Sequence, residues 1–337
     1  MSMFDGKKIL ITGGTGSLGQ SLTKKLLEYD VDTIRIFSRN ESKQVEMESK
    51  FSEKRLRFLI GDVRDVTRLS RAMEDIDIVI HAAAIKHVPV VEYNPFEAVK
   101  TNIIGSQNVI DASLAEDVET CVCVGTDKGV APLNTYGASK LLMERLFVSA
   151  SNYLNPIRHK TKFIAVRYGN VLGSNGSVVP KIIDQVKNGK SITITNSEMT
   201  RFNITMDQAI NLIFNAIKMG YGGEVFVPKL KAYRLDILKD SICEVMKKSP
   251  DIQKIPVRSG EKFHESLIGP EEIRNSYEIG DMYVILDKLM HDKTFAKWNN
   301  LKNCNLSDEY SSDKVEQLSK EELIDILHKE KLIIDEN

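Results

Sequence analysis

A glycine-rich turn between a short apolar strand and an amphipathic helix constrains the fold of this chain more than any other feature. The strand-like run Lys8-Ile-Leu-Ile-Thr12 leads directly into Gly13-Gly-Thr-Gly-Ser-Leu-Gly19, and a helical pattern continues through Leu26. Glycines at this spacing permit a tight turn and let backbone N–H groups approach a pyrophosphate at the helix N-terminus. The flanking strand and helix favour dinucleotide binding over an ordinary turn. The expected contacts are Gly13, Thr15, Gly16, Ser17, Leu18 and Gly19.

Strand-length apolar runs alternate with helical patterns through the first half of the chain. After the first strand, further strands are predicted over residues 33–38, 56–60, 78–84, 120–124 and 161–168. Short connections between alternating strands and helices predict an α/β fold with a doubly wound parallel sheet, the Rossmann arrangement. Residues 223–227 predict one more strand that returns to this sheet.

The residues at the end of the second strand bear on the choice of dinucleotide. An acidic side chain there would bind the ribose 2′-hydroxyl of NAD, whereas this chain has Ser38 and Arg39, with Lys43 close behind. Arginine accommodates a 2′-phosphate, which predicts NADP. The simpler alternative is a solvated arginine that follows a strand.

Three further positions are expected to matter around the dinucleotide. Asp62 either accepts a hydrogen bond from the adenine amine or caps the helix that follows it. The small side chains of Ala82, Ala83 and Ala84 let the backbone lie against the cofactor. Asn102 lies within a long helical pattern over residues 96–114, where a polar side chain on a packed face needs a buried partner.

Tyr136 and Lys140 are the first pair expected to perform chemistry. They are four residues apart, so a helix places them on one face. A nearby lysine ammonium lowers the pKa of a tyrosine toward the range of a useful base. An isolated Tyr-x-x-x-Lys is more often a surface pair, and only the residues around it favour the catalytic interpretation.

Thr126, Asp127 and Lys128 form the second expected catalytic group, just after the strand over residues 120–124. Side chains at the carboxyl end of a parallel strand face the binding crevice. Successive residues of a strand point to opposite faces, so Asp127 and Lys128 can act together only if the strand has ended by Thr126. We predict that it has.

Composition argues against several other classes of protein. The net charge of −1 gives no electrostatic argument for binding nucleic acid or an acidic membrane. The longest apolar runs have strand length and the N-terminus lacks the apolar core of a secretion signal, so we expect neither a membrane span nor export. Four cysteines suggest a reducing, cytoplasmic compartment. Cys121 and Cys123 are expected to be buried apolar residues, and no metal site is expected.

The length of 337 residues suggests about two domains. We expect an NADP-binding Rossmann domain over residues 1–168, to which residues 203–228 return. A smaller, discontinuous C-terminal substrate domain is expected over residues 169–202 and 229–290. Residues 291–337 read as a polar extension, in which Ser319-Lys-Glu-Glu322 predicts a capping box at the start of a short helix.

Several motifs together resemble those of a known family. They are Ile11-Thr-Gly-Gly-Thr-Gly-Ser-Leu-Gly19, Ile60-Gly-Asp-Val-Arg64, His81-Ala-Ala-Ala-Ile-Lys-His-Val88, Thr126-Asp-Lys128, Tyr136-Gly-Ala-Ser-Lys140, Arg167-Tyr-Gly-Asn170, Gly176-Ser-Val-Val-Pro180, Met199-Thr-Arg-Phe202 and Gly260-Glu-Lys262. Over residues 8–327 the chain resembles the extended short-chain dehydrogenases/reductases. Within them it is similar to the soluble 4,6-dehydratases that act on UDP-N-acetylglucosamine and invert C5. Thr126-Asp-Lys128 is the most specific signature, because plain reductases lack the Asp-Lys pair. Membrane-anchored relatives usually carry Met in place of Tyr136.

The resemblance implies a hydro-lyase of surface-polysaccharide biosynthesis, of the pseudaminic acid pathway type. The sugar would be oxidised at C4, lose water across C5–C6 and regain hydride at C6, giving UDP-2-acetamido-2,6-dideoxy-β-L-arabino-hex-4-ulose. Tyr136, with Lys140 and Thr126, would take the C4 hydroxyl proton. Lys128, kept neutral by burial beside the nicotinamide and Lys140, would take the C5 proton. Asp127, kept protonated in a closed apolar site, would give a proton to the departing C6 hydroxyl.

The resemblance also implies the remaining contacts and partners. It adds Val63 and Asn102 to the NADP contacts. It places the nucleotide sugar against Lys86, Asn170, Ser177, Val178, Arg201, Arg258 and Glu261. The charges of Arg201, Arg258 and Glu261 suit a diphosphate and a ribose. A homo-oligomer, either dimer or hexamer, is also expected.

Two departures and two alternatives accompany this interpretation. Ser259 stands where the family usually has Pro before Gly260. The loop after Lys128 reads Gly129-Val-Ala-Pro132, whereas the family usually has Ala, a small residue and Asn-Pro. A UDP-sugar 4-epimerase of the same fold would use the tyrosine and lysine but would need no Asp-Lys pair. A catalytically idle NADP-binding sensor is the alternative from another functional class.

Overall fold

The computed structural model describes residues 2–153, 155, 158–174, 176–258, 260–287, 292–298 and 301–333. The strands of these residues are β1 (Lys8–Thr12), β2 (Thr33–Ser38), β3 (Leu56–Ile60), β4 (Ile78–His81), β5 (Thr120–Val124), β6 (Lys162–Val166), β7 (Asn170–Val171), β8 (Ile192–Ile194), β9 (Thr200–Ile204), β10 (Glu224–Pro228), β11 (Ala232–Arg234), β12 (Ile252–Lys254), β13 (Ser266–Ile268), β14 (Ser276–Ile279), β15 (Met282–Leu286), β16 (Lys302–Asn303) and β17 (Tyr310–Ser311). The helices are α1 (Ser17–Leu26), α2 (Glu41–Phe51), α3 (Val66–Met73), α4 (Val88–Tyr93), α5 (Pro95–Ala98), α6 (Gly105–Ala115), α7 (Thr135–Tyr153), α8 (Val178–Lys187), α9 (Met206–Met219), α10 (Leu235–Val245), α11 (Asp292–Phe295) and α12 (Lys320–Lys329).

A central sheet of ten strands is the framework of the described part of the chain. Its order is β16-β14-β15-β10-β6-β5-β4-β1-β2-β3. The strands from β10 to β3 in this order all pair in parallel. This arrangement confirms the predicted doubly wound α/β fold, including the return of β10 to the edge of β6. The strand order reverses between β1 and β4, which is where sheets of this kind bind ligands beyond their carboxyl ends.

The apolar runs that predicted the central strands are buried as parallel strands require. β4 is buried along its whole length, and in β5 only the last residue is partly accessible. Cys121 and Cys123 of β5 are free and buried, so they pack as apolar side chains. Helices on both faces of a parallel sheet leave its inner strands little contact with water.

A second hydrophobic cluster lies outside the central sheet. Its buried residues include Val179 and Ile182 of α8, Leu238 of α10, and Leu323 and Leu327 of α12. The predicted capping box begins α12, because Ser319 Oγ accepts from Glu322 N and the Glu322 carboxylate accepts from Ser319 N. The apolar face of α12 therefore packs this helix against the second cluster.

Two segments, residues 276–286 and 302–329, pack outside the domains in which we expected them. β14 and β15, expected in the substrate domain, extend the central sheet as antiparallel strands beside β10. In the expected polar extension, β16 pairs with β14, and α12 contributes to the second cluster. The extension is polar overall, but Leu323 and Leu327 are spaced as on one face of a helix and are buried. The division into domains remains a prediction.

The expected helix over residues 96–114 is divided into three segments. α5 leads into a π-helical segment, Val99–Ile104, and α6 follows it. Such π-helical insertions are frequent near functional sites, where they redirect a side chain. Asn102 lies within this one. Among the described residues, no helix combines the length and the apolar character needed to cross a membrane.

Candidate active site

A cavity of about 840 Å³ is bordered by the residues that follow β1 to β6. The predicted site residues that line it are Gly13, Thr15, Gly16, Ser17, Leu18, Gly19, Ser38, Arg39, Lys43, Asp62, Val63, Ala82, Ala83, Ala84, Lys86, Thr126, Lys128, Tyr136, Lys140, Asn170, Ser177, Val178, Arg201, Arg258 and Glu261. Asp127 is fully buried next to this wall, and Asn102 lies behind it. The fold thus brings residues from most of the chain to one cavity.

The glycine-rich loop has the shape that a dinucleotide phosphate requires. Gly13 has a φ of +68°, and a Cβ at this position would lie 2.9 Å from the backbone of Ala83. A Cβ on Gly19 would collide with the carbonyl of Gly14. Gly16 precedes α1 without any side-chain cap, so the first N–H groups of this helix have no side-chain acceptor. A pyrophosphate fits such a helix N-terminus.

Arg39 and Asp62 lie together beside the ends of β2 and β3. Arg39 Nη1 is 3.6 Å from Asp62 Oδ2, and the arginine side chain is 55% exposed. Burial raises the pKa of Asp62, but its hydrogen bonds with Arg64 outweigh burial and lower the pKa overall. The alternative that Asp62 caps α3 is wrong, because Asp65 is the cap and accepts from Arg68 N at 2.9 Å.

Asn102 was predicted to contact the cofactor, but its side chain binds other parts of the protein and does not line the cavity. Its Oδ1 accepts from Ile85 N at 2.8 Å, and its Nδ2 donates to Ile85 O at 3.0 Å and to Ser139 Oγ at 2.9 Å. A buried amide must use its donors and acceptor, and here the protein itself satisfies them. Asn102 therefore fixes the loop after β4 against α7 instead of lining the cavity.

The turn after β5 brings the side chains of Asp127 and Lys128 into contact, with 3.1 Å between Lys128 Nζ and Asp127 Oδ1. β5 ends at Val124, which confirms the prediction that the strand has ended by Thr126. Residues Asp127–Gly129 form a 3₁₀ turn capped by Thr126, whose Oγ1 accepts from Lys128 N at 3.4 Å. The same hydroxyl donates to Asp127 Oδ1 at 2.8 Å. The turn thus replaces the alternating geometry of a strand.

Lys128 is surrounded by oxygen acceptors. Its Nζ lies 3.1 Å from Asp127 Oδ1, 3.0 Å from Asn170 Oδ1 and 3.4 Å from Glu265 Oε1. Burial alone lowers the pKa of Lys128, but the charges of Asp127 and Glu265 outweigh it and raise the pKa above its ordinary value. The expectation of a neutral Lys128 is therefore wrong for this arrangement, because the sequence did not reveal the second carboxylate. The surroundings of Asp127 are likewise ionic instead of apolar.

Tyr136 and Lys140 are both buried on α7, but they do not form the expected pair. Burial raises the pKa of Tyr136 to about 12, and the opposing influence comes from Lys128. Lys140 Nζ donates to Val124 O at 2.6 Å, and burial lowers its pKa to about 8. The expectation that Lys140 lowers the pKa of Tyr136 is thus wrong for this arrangement. Tyr136 also hydrogen-bonds with Thr126.

The expected substrate contacts occupy the other end of the cavity. Arg201 lines it, but its guanidinium also donates to Phe263 O at 3.0 Å and lies 3.3 Å from Glu261 Oε1. Ser177 precedes α8, and its Oγ is buried without a hydrogen-bond partner among the described residues. Arg258 and Val178 border the same space.

Sequence reasoning missed three charged residues of the cavity wall, Lys181, Lys262 and Glu265. Burial lowers the pKa of Lys262, whose Nζ donates to Val130 O. Glu265 is almost completely buried and faces Lys128. The only available signal was its place three residues after Gly260-Glu-Lys262, because nothing local distinguishes a buried glutamate from a solvated one.

Ala131, in the loop that departs from the family pattern, has a strained backbone. Its φ is +41°, a region that favours glycine and, among other residues, asparagine. We expect Ala131→Gly to raise the free energy of unfolding by roughly 1 kcal/mol, because the left-handed region penalises Cβ. Urea denaturation measures the change. In the matched control Ala138→Gly, on an exposed position of α7, we expect a loss of about 1 kcal/mol. Destabilisation by both substitutions would contradict the strain.

Comparison with known proteins places this geometry in a family. A family model described as polysaccharide biosynthesis protein matches residues 9–287. The chain belongs to this family. A UDP-N-acetylglucosamine 4,6-dehydratase (inverting) of Campylobacter jejuni is 44% identical over 97% of this chain and 98% of its own length. A UDP-glucose 4-epimerase of Rickettsia bellii is 39% identical over 96% of both chains.

Solved structures agree with this assignment. The X-ray structure of Pen from Bacillus thuringiensis superposes with a TM-score of 0.92 at 39% identity, covering 98% of this chain and 100% of the other. A dTDP-glucose 4,6-dehydratase of Streptomyces venezuelae, solved with NAD bound, shares the fold at a TM-score of 0.71 and 19% identity, over 86% of this chain and 95% of the other. The predicted family is confirmed, and so is the prediction of an enzyme of the hydro-lyase class. The fold is one that holds a nicotinamide dinucleotide.

Proposed function

We propose that this enzyme removes water from UDP-N-acetylglucosamine across C5 and C6 and inverts C5. The observation that carries the proposal is the 3₁₀ turn that places the Asp127 carboxylate 3.1 Å from Lys128 Nζ, at the cavity wall that Lys128 and Tyr136 line. Elimination requires a base and an acid at neighbouring carbons, and an adjacent acid and amine within reach of one sugar suit that requirement. The dehydratase relative supports the same reaction and the same substrate.

Each residue has a distinct task in this proposal. Tyr136 takes the C4 hydroxyl proton once it has lost its own, with Thr126 as its hydrogen-bond partner and Lys140 bound to Val124 O at the end of β5. Lys128 takes the C5 proton once it has lost its own. Asp127 takes up a proton before the elimination and gives it to the C6 hydroxyl, which leaves as water. A bound nicotinamide supplies the redox chemistry at C4 and C6. Asn170 orients Lys128 through its Oδ1.

The remaining predicted cofactor and substrate contacts lie at the two ends of the cavity. The glycine-rich loop and the residues after β2 to β4 would hold the dinucleotide. Lys86, Ser177, Val178, Arg201, Arg258 and Glu261 would hold the nucleotide sugar. Arginine and an open helix N-terminus suit the diphosphate, and the Glu261 carboxylate suits ribose hydroxyls.

Purified enzyme with UDP-N-acetylglucosamine in D₂O, without added nicotinamide, tests the reaction by NMR and mass spectrometry. We expect a product that has lost one water, carries deuterium at C5 and has L-arabino couplings. A product of full mass epimerised at C4 would instead establish the 4-epimerase, the alternative that the Rickettsia relative favours. Retained nicotinamide with no turnover of any UDP-sugar would support the sensor alternative.

NADP is the dinucleotide we propose, on the evidence of Arg39 and Lys43 at the cavity wall. A charge-assisted hydrogen bond is worth roughly 1.5–3 kcal/mol, so Arg39→Ala should lower the affinity for NADP⁺ at least about tenfold. Binding of NAD⁺ should change little. Isothermal titration of apoprotein with both dinucleotides measures the difference. Arg71→Ala, an exposed arginine on α3, is the matched control. Equal losses for NAD⁺ and NADP⁺ would contradict a 2′-phosphate contact.

We further propose that the enzyme is a homo-oligomer. Large apolar side chains are exposed on adjoining helices, with Val90 and Tyr93 on α4, Phe96 on α5 and Leu142 on α7. α4 and α5 both pack against α7. Exposed apolar surface of this kind favours self-association. Light scattering of the purified chain tests the proposal, and a monomer at micromolar concentration would contradict it.

A further inference from the structure

Glu265 is a buried carboxylate that the proposed reaction leaves without a task. Its side chain is 3% exposed, and its Oε1 lies 3.4 Å from Lys128 Nζ. Its Oε2 has no hydrogen-bond partner among the described residues. Glu265 also belongs to the cavity wall. A buried oxygen without a partner is costly, and this cost points to a role for Glu265 in the chemistry of the cavity.

The backbone holds Glu265 firmly in this place. Glu265 N donates to Ser312 Oγ at 2.9 Å, and Glu265 O accepts from Ser312 N at 2.8 Å. Ser312 Oγ in turn lies 2.7 Å from Thr200 Oγ1, next to Arg201 on β9. The carboxylate therefore has a fixed position beside Lys128, set by two other segments of the chain.

Lys128 cannot act as a base in the arrangement described above. An ammonium group has three hydrogens and no lone pair; Nζ donates to Asp127 Oδ1 and Asn170 Oδ1 and forms an ion pair with Glu265 Oε1 at 3.4 Å. One hydrogen must leave as a proton before the nitrogen can accept the proton of C5. The amide oxygen of Asn170 is not a practical proton acceptor. Asp127 is not available for this step, because in the proposed function it must give a proton at C6 and not hold the one from Lys128.

We propose that Glu265 accepts the proton of Lys128 and so creates the neutral amine that removes the C5 proton. An N–H bond of the ammonium breaks and an O–H bond forms on Glu265. The pair keeps a total charge of zero, and no oxidant or reductant is required. Glu265 is thus a positioning residue that acts through Lys128. This inference rests on the proposed function, because it assumes that Lys128 is the base at C5.

The charges around Glu265 are compatible with this exchange. Burial raises the pKa of Glu265, whereas the cations Lys128, Arg201 and Lys262 lower it and the Asp127 carboxylate raises it. Arg201 Nε is 3.9 Å away. The balance is a raised pKa, which makes protonation of this carboxylate less costly than that of an ordinary glutamate. Because the two groups share one proton, their titration belongs to the pair.

Glu265→Gln tests the proposal, because glutamine keeps the size of the side chain but accepts no proton. In wild type, the dehydration rate should be level over the pH range in which the pair holds one proton. In the variant, Lys128 must lose its proton to water, so the rate should rise about tenfold per pH unit through neutrality. Loss of the Glu265 charge lowers the pKa of Lys128, but Asp127 still raises it, so this slope should persist above neutral pH. At neutral pH we expect a loss of about 100-fold with little change in KM.

Deuterium uptake at C5 from D₂O, followed with the pH profile of dehydration, provides the measurement. The matched control is Glu309→Gln, which makes the same chemical change on the carboxylate that accepts from Ser266 Oγ and should leave rate and profile unchanged. Glu265→Asp retains a proton acceptor and should keep a level profile at a reduced rate. If Glu265→Gln does not fold, a rising profile in Glu265→Asp overturns the proposal.

The outcomes separate this inference from the function on which it rests. A wild type that fails to dehydrate UDP-N-acetylglucosamine rejects the proposed function, and the inference with it. A wild type that dehydrates, with a Glu265→Gln profile parallel to its own, rejects only the role of Glu265. A rising profile in Glu265→Gln beside a level one in Glu265→Asp supports it.

Discussion

Replacing Lys128 with alanine is expected to abolish dehydration of UDP-N-acetylglucosamine and to destabilise the enzyme. Loss of a positioned base costs about 10²–10⁴-fold in rate. Asp127 and Glu265 would then face each other without the ammonium that lies between them in the structure. Removing one partner of a buried ion pair costs roughly 3–5 kcal/mol, and we expect the lower part of that range because the Lys128 side chain is 22% exposed. Steady-state turnover and urea unfolding measure the two effects.

Lys128→Arg separates charge from chemistry. Arginine keeps a cation between the two carboxylates, but its guanidinium does not lose a proton at accessible pH. We therefore expect Lys128→Arg to be nearly as inactive as Lys128→Ala while unfolding closer to wild type. Dehydration at more than a tenth of the wild-type rate in Lys128→Arg would show that no neutral amine is needed at C5 (a tenfold loss corresponds to about 1.4 kcal/mol of barrier).

The sequence predicted well those features that depend on local pattern. The strand, glycine turn and helix over residues 8–26 need only a few neighbouring residues to specify them. The end of β5 before Thr126 followed from the requirement that Asp127 and Lys128 point to one side. The capping box at Ser319 follows in the same way from four adjacent residues. Because the strands are parallel, their carboxyl ends lie along one edge of the sheet, and this places the site.

Protonation states could not be predicted, because they depend on residues far apart in the chain. Lys128 lies close to Glu265 because β13, which follows Glu265 directly, packs beside the turn after β5. From the sequence we expected burial beside the nicotinamide and Lys140 to keep Lys128 neutral, and nothing local indicated the carboxylate of Glu265 beside Nζ. Likewise, Lys140 has the right spacing to reach Tyr136, but the carbonyl of Val124 accepts its hydrogen bond. The spacing of two residues on a helix determines that they share a face, but it does not determine which group each side chain hydrogen-bonds.

Replacing Tyr136 with phenylalanine is expected to stop oxidation at C4 with only a small loss of stability. Burial raises the pKa of Tyr136 to about 12, so its hydroxyl is uncharged at neutral pH. Phenylalanine therefore removes no buried charge, and the cost is that of the hydrogen bond with Thr126, about 1 kcal/mol. The rate loss should nevertheless reach about 10²–10⁴-fold, because no other group is assigned to the C4 hydroxyl proton.

The contrast between Tyr136→Phe and Lys128→Ala is the informative result. Both should stop product formation, but only Lys128→Ala should unfold at clearly lower urea concentration. The two variants should also stop at different points. Lys128→Ala still oxidises C4, so reduced nicotinamide should accumulate in a single turnover and be visible by its absorbance. In Tyr136→Phe no reduced nicotinamide should form. Accumulation of reduced nicotinamide in Tyr136→Phe would remove Tyr136 from the first step and would point to Thr126, whose hydroxyl hydrogen-bonds with it.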